Sequence, residues 1–205
     1  MITMSEKRFG SVGASGLPKE ALEHIGTAEP VEEEKAFSTG DMTRTQKRNY
    51  AAQREDTYNR IVSELRGNSY YPNMSGETQS SLLSAAATLA EETAKADNSD
   101  GQYTLKTQWT RWAVSGKQYG VTESQAILFK IAYDTSQGDP KKNGDGTVSG
   151  SRKKNTLALA EQWLPDLSEE QRAYLISGYW NLVNSDTRNR DLRKALNALR
   201  ESGWK

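Results

Sequence analysis

The sequence predicts an all-α fold of about seven short helices in an orthogonal bundle, preceded by a flexible N-terminal arm. From residue 41 onward, apolar residues recur at spacings of three and four, which is the period of one face of a helix. Two segments have the capping-box pattern that opens helices. Alternating apolar and polar stretches flanked by hairpin turns, the signal of strands, are not found. Most of the predicted helices are shorter than about 20 residues, which favours orthogonal packing over a long four-helix bundle.

Composition excludes several classes of protein. The chain has 205 residues, no cysteine, and 27 basic residues balanced by 27 acidic ones. Without cysteine it cannot form disulfides, zinc-thiolate sites or a thiol nucleophile. Zero net charge disfavours a protein that coats DNA. No apolar run approaches the roughly 18 residues of a membrane span. Met1–Gly10 has no apolar core, so no secretory signal is expected there.

Residues 1–40 differ from the rest and are predicted to form the flexible or extended arm. They are rich in glycine, contain Pro18 and Pro30, and include the acidic run Glu32–Glu34. Large apolar residues are sparse and show no sustained period. Such a segment buries too little surface to offset the entropy cost of ordering it.

Residues 41–133 are predicted to form an N-terminal helical part with four helices. The first runs from about Asp41 to Arg66 and the second, capped by Ser75, to about Ala96. The third is expected over about 104–119, ended by Gly120. Thr122-Glu-Ser-Gln125 has the capping-box form and opens the fourth, which runs to about Tyr133.

Residues 134–205 are predicted to form a C-terminal helical module that begins with a polar loop. A fifth helix is expected over about 151–164, ended by Pro165. Ser168-Glu-Glu-Gln171 is a second capping box and opens a strongly apolar sixth helix. A seventh is expected over about 187–201.

No catalytic residue and no cofactor are predicted. The single histidine, His24, lies in the arm. The carboxylate pairs Glu91/Glu92 and Glu169/Glu170 are helix neighbours, and neighbouring side chains on a helix point apart. These residues therefore show no pattern that indicates acid–base chemistry.

The loop before the fifth helix is similar in form to a calcium-binding EF-hand loop. With Gly146 at position six, the ligand positions fall on Asn143, Asp145, Thr147 and Ser149. Lys141 and Arg152 occupy positions one and twelve, where an EF-hand has acidic ligands. Because two cations replace two anions, no metal binding is predicted.

Two basic clusters flank helix starts in the C-terminal module and are candidate contact sites. Each cluster is interpreted in one of two ways: it is a charged face exposed to solvent, or it contacts nucleic acid or an acidic partner. Trp204 either docks into a partner or folds back on the last helix. The candidate contact residues are Arg152, Lys153, Lys154, Arg188, Arg190, Arg193, Lys194 and Trp204.

Four C-terminal motifs, in order along the chain, resemble a helical module found towards the C-terminal ends of large bacteriophage structural and polyvalent proteins. That group includes tail tape-measure-like and internal virion proteins. Tyr70-Tyr-Pro-Asn-Met-Ser75 resembles the segment that often precedes the module. The chain departs from the pattern at Trp163-Leu-Pro165, and it is short for a tape measure. The four motifs are Lys117-Gln-Tyr119-Gly120-Val-Thr122, Asp145-Gly-Thr-Val-Ser-Gly-Ser-Arg-Lys-Lys154, Leu167-Ser-Glu-Glu-Gln-Arg172 and Gly178-Tyr-Trp180.

The resemblance implies a non-enzymatic virion component, internal and ejected or part of the tail, that acts through protein–protein contacts. Its implied partners are other virion proteins and further copies of itself, and its implied location is the virion, with the host cytoplasm during assembly. Three alternatives remain open at this point: a nucleic-acid-binding helical module, a phage-encoded inhibitor of a host protein, and a hydrolase with an isolated catalytic Glu. Each would need a surface or cleft that the sequence alone does not identify.

Overall fold

The computed structural model describes residues 37–137 and 148–184, which lie in one compact unit, Phe37–Thr187. These residues contain helices and no strand, which confirms the all-α prediction. Within them, no helix combines the length and apolar character needed to cross a membrane. The predicted seventh helix lies outside the described residues. The helices are α1 (Arg44–Gly67), α2 (Gly76–Asp97), α3 (Gln108–Ser115), α4 (Glu123–Thr135), α5 (Gly150–Trp163) and α6 (Glu169–Ala173), which continues into a π-helical turn (Tyr174–Gly178).

Side-chain caps decide where these helices begin. Ser75 caps α2, and both predicted capping boxes form, at Thr122 before α4 and at Ser168 before α6. The first helix begins at Arg44 rather than at Asp41. Thr43 is its N-cap, because the Gln46 side chain accepts a hydrogen bond from Thr43 N (2.8 Å) while Gln46 N donates to Thr43 Oγ1 (3.3 Å).

The folded unit begins before residue 41, within the segment that the sequence assigns to the arm. Ser38 and Asp41 form a reciprocal capping box around a short 3-10 turn, Thr39–Asp41. The Phe37 ring lies 6.0 Å from the ring of Tyr103 and packs beside the buried side chain of Met42. Residues 37–40 are therefore part of this unit, and residues 1–36 lie outside the described region.

The third helix is shorter than predicted. It begins at Gln108, four residues after the expected start, and after Ser115 it tightens into a 3-10 turn, Gly116–Tyr119. The start is delayed because the amides of Lys106 and Thr107 donate to the carboxylate of Glu92 on α2, at 3.0 and 3.5 Å. Gly120 ends the turn as predicted, with a φ of 71° that favours glycine.

One apolar core joins the helices. α2 packs against α1 and α4, and α4 packs in turn against α5. The alanine-rich face of α2, with Ala86 and Ala90 fully buried, lets these neighbours approach closely. The sequence predicts two helical parts that meet between residues 133 and 134, yet residues from both parts contribute to this one core. Its most deeply buried large side chains are Ile61, Leu65, Leu82, Leu89, Ile127, Phe129 and Leu175.

Candidate functional site

Arg152, the first of the candidate contact residues, joins α5 to the end of α4. Its guanidinium lies 3.9 Å from the centre of the Tyr133 ring, and its Nη2 donates to the Tyr133 carbonyl at 3.0 Å. Its Nε is buried and has no hydrogen-bond acceptor among the described residues. Stacking on an aromatic ring while bonding a carbonyl at a helix C-terminus stabilises the fold.

The other members of this basic cluster point to different surroundings. The Lys153 ammonium lies 5.9 Å from the centre of the Trp180 ring, while Lys154 is exposed. The three cations therefore do not share one free face. The second predicted cluster, Arg188, Arg190, Arg193 and Lys194, and the terminal Trp204 lie outside the described residues.

Of the four candidate ligand residues in the loop that is similar to an EF-hand, the structure describes one, Ser149. Ser149 is the N-cap of α5, and its Oγ accepts from Arg152 N at 3.2 Å. Asn143, Asp145 and Thr147 lie outside the described residues. Within residues 37–137 and 148–184, no group of three or more His, Asp or Glu side chains is placed to hold a metal ion.

We expect Arg152→Met to destabilise the protein by about 1–2 kcal/mol, because it removes a cation–π contact and a charge-assisted hydrogen bond. Lys154→Met is the matched control at an exposed position, and we expect it to change stability by less than about 0.5 kcal/mol. Urea unfolding followed by circular dichroism measures both changes. Equal effects of the two substitutions would show that Arg152 has no special role in joining the helices.

Two of the motifs that carry the resemblance, together with Tyr174 just after the second of them, meet at one place, which we call the motif junction: Tyr119, Gly120, Gln171 and Tyr174. Gln171 Nε2 donates to the Gly120 carbonyl at 2.5 Å, across 51 positions of sequence. The Tyr119 and Tyr174 rings are stacked with centres 4.5 Å apart. The turn of the first motif is thus fixed to the cap of the third by direct contacts.

A stack of three rings runs from the motif junction into the core. Tyr174 lies between Tyr119 and Trp112, nearly parallel to the Trp112 ring at 6.0 Å, and its hydroxyl donates to the Trp112 carbonyl at 2.5 Å. Burial, together with the neighbouring Tyr119, raises the pKa of the Tyr174 hydroxyl. The hydroxyl therefore stays protonated and keeps its role as a donor at neutral pH.

Tyr119 ends this stack at the surface. Among residues 37–137 and 148–184 it is the one large apolar side chain that is exposed, at 39%. Its ring is held by Tyr174, so little conformational entropy remains to be lost when a partner binds it. Tyrosines of this kind are common anchors of protein–protein interfaces. Sequence reasoning missed Tyr119 as a contact residue, although it lies in a quoted motif and precedes the glycine of a tight turn.

Charged side chains beside the motif junction hold the start of α4. The buried carboxylate of Glu123 pairs with Lys117 Nζ at 2.9 Å and with Arg60 Nη1 at 3.1 Å. Burial by itself raises the pKa of Glu123, but the hydrogen bonds from Lys117 and Arg60 outweigh it, so the net pKa lies below its ordinary value. Glu123 therefore stays ionised, and it is satisfied by structural partners rather than poised for proton transfer.

Comparison with models of known protein families, with characterised proteins and with solved structures finds no match to this chain.

Proposed function

We propose that this protein is a non-enzymatic structural or assembly component of a bacteriophage virion, internal and ejected or part of the tail, and that it acts through protein–protein contacts. The observation that carries the proposal is the motif junction. Residues from two of the phage-like motifs contact each other there, and the stack that Tyr174 builds beside them presents Tyr119 to solvent. The motifs thus have the structural roles expected of a packing module.

The proposed partners are other virion proteins and further copies of this chain, bound in the virion or, during assembly, in the host cytoplasm. Tyr119 would be buried at such a contact as an anchor, with the exposed side chains of Lys117 and Gln118 beside it. An aromatic anchor with a polar rim is the usual anatomy of an interface. The N-terminal arm predicted from the sequence would contact a neighbouring subunit.

The test is incorporation into particles. Virions made in cells that express tagged protein are purified on a density gradient, and the protein is quantified against a capsid protein. We expect it at a fixed ratio in the particle fraction. We expect Tyr119→Ala to lower that ratio by about tenfold, the cost of losing one interface anchor. Gln102→Ala, at an exposed position in the turn after α2 and outside the motif junction, is the control and should leave the ratio unchanged.

Recovery of the wild-type protein only in the soluble fraction would overturn the proposal. If that soluble protein bound DNA with a steep salt dependence, the nucleic-acid alternative would replace it. Circular dichroism of Tyr119→Ala establishes that the variant is folded, so that a loss of incorporation reports on contact rather than on stability.

A further inference from the structure

The solvent side of α2 is unusual in composition. Between Thr78 and Ala90 the helix carries no charged residue, and its solvent side presents Ser80, Ser84 and Thr88. Exposed helix positions are normally filled by long charged side chains, which are also better helix formers than serine. α1 follows the ordinary pattern, with charged residues along its exposed positions. Short hydroxyl side chains on α2 leave open the space above the helix.

That space is a groove of about 740 Å³ between α2 and α4, which we call the hydroxyl groove. The serines Ser80, Ser81 and Ser84 line it from α2. Lys130 and Asp134, which form an ion pair, line it from α4. Trp109 of α3, half-buried, completes the lining, and the Lys130 ammonium lies 5.3 Å from the centre of its ring.

The lining has hydrogen-bonding groups that the described protein does not use. The hydroxyls of Ser80, Ser81 and Ser84 and the indole N–H of Trp109 make no hydrogen bond to another described residue. Each hydroxyl can donate and accept at once. The charges of Lys130 and Asp134 cancel, and Glu77 adds a carboxylate to the lining, which disfavours an anionic ligand.

This chemistry selects the class of ligand. A bound helix or peptide needs an apolar pocket for its anchor residue. Ala85 and Ile131 also line the groove, but both are buried and expose little apolar surface to it, which disfavours a peptide ligand. Sugar hydroxyls, in contrast, both donate and accept, and match a row of serine hydroxyls. Trp109 adds an amphipathic ring beside them. We propose that the hydroxyl groove is a binding site for a neutral oligosaccharide.

The test uses the full chain on an array of immobilised neutral and acidic glycans, with chitotetraose, cellotetraose and maltotetraose titrated in solution by calorimetry. We expect binding to neutral glycans in preference to acidic ones. Ser84→Arg and Ser80→Arg place a long side chain in the groove, and each should weaken binding by roughly tenfold or more. Ser63→Arg makes the same change at an exposed position of α1 and is the matched control.

Three results would overturn the proposal. The first is an absence of binding across the neutral glycans. The second is binding that Ser84→Arg and Ser80→Arg leave intact, or that Ser63→Arg weakens equally. The third is capture of a virion peptide that Ser84→Arg abolishes, which would make the groove a protein-docking site. Thermal unfolding of each variant separates loss of binding from loss of fold.

Discussion

Replacing Glu92 by alanine is expected to destabilise the protein by about 3–5 kcal/mol, since hydrogen bonds to a charged group contribute about 1.5–3 kcal/mol each and are not fully additive. Glu92 is 8% exposed. Its Oε2 accepts from the amides of Lys106 and Thr107 and, at 2.8 Å, from Thr110 Oγ1. Removing the carboxylate leaves the amides of Lys106 and Thr107 without this acceptor at the start of α3, whereas Thr110 Oγ1 still has the Thr107 carbonyl at 2.9 Å.

Two further variants make this expectation specific. Glu92→Gln keeps an acceptor but loses its charge, so its unfolding free energy should fall between those of the wild type and Glu92→Ala. Glu55→Ala removes an exposed carboxylate from α1 and should cost less than about 0.5 kcal/mol. Chemical denaturation gives the free energies, and hydrogen exchange of the Lys106 and Thr107 amides should accelerate in Glu92→Ala. Unchanged exchange at those two amides would contradict the role of Glu92 as their hydrogen-bond acceptor.

Glu92 also shows where sequence reasoning succeeds and where it fails. The boxes at Thr122 and Ser168 were predictable because their partners lie three residues apart, as were the cap at Ser75 and the end at Gly120. The start of α3 was not, because its capping carboxylate comes from a helix 14 residues earlier in the chain. A helix end determined by a distant side chain leaves no local signal.

The candidate site was less predictable for the same reason. Adjacent cations such as Arg152, Lys153 and Lys154 indicate a basic patch, but their roles depend on the rings of Tyr133 and Trp180, which belong to other segments. The hydroxyl groove joins residues about 50 positions apart in the chain. Residue type predicts which groups are able to bind, whereas tertiary packing decides which of them remain free to do so.

Gly178→Val is the second substitution with a large expected effect, a destabilisation of about 3 kcal/mol from overpacking. A Cβ at this position would lie 2.8 Å from Trp112 Nε1 and 3.2 Å from Trp112 Cδ1. The indole cannot retreat, because the rings of Tyr179, Tyr174 and Phe129 surround it within 6.4 Å. Gly76→Val is the control, since a Cβ there meets nothing within 4 Å. Thermal and urea unfolding compare the two.

A double-mutant cycle identifies the contact itself. Trp112→Phe removes the pyrrole atoms that a Cβ at position 178 would contact. The hydrogen bond from the Tyr174 hydroxyl remains, because its acceptor is the backbone carbonyl of residue 112. We expect Gly178→Ala to cost about 1 kcal/mol less in the Trp112→Phe background than in the wild type. If Gly178→Ala destabilised both backgrounds equally, a steric clash with Trp112 would be excluded. A positive coupling would assign the glycine of the Gly178-Tyr-Trp180 motif to close packing against the ring stack that ends at Tyr119, so that this motif too acts by building the motif junction.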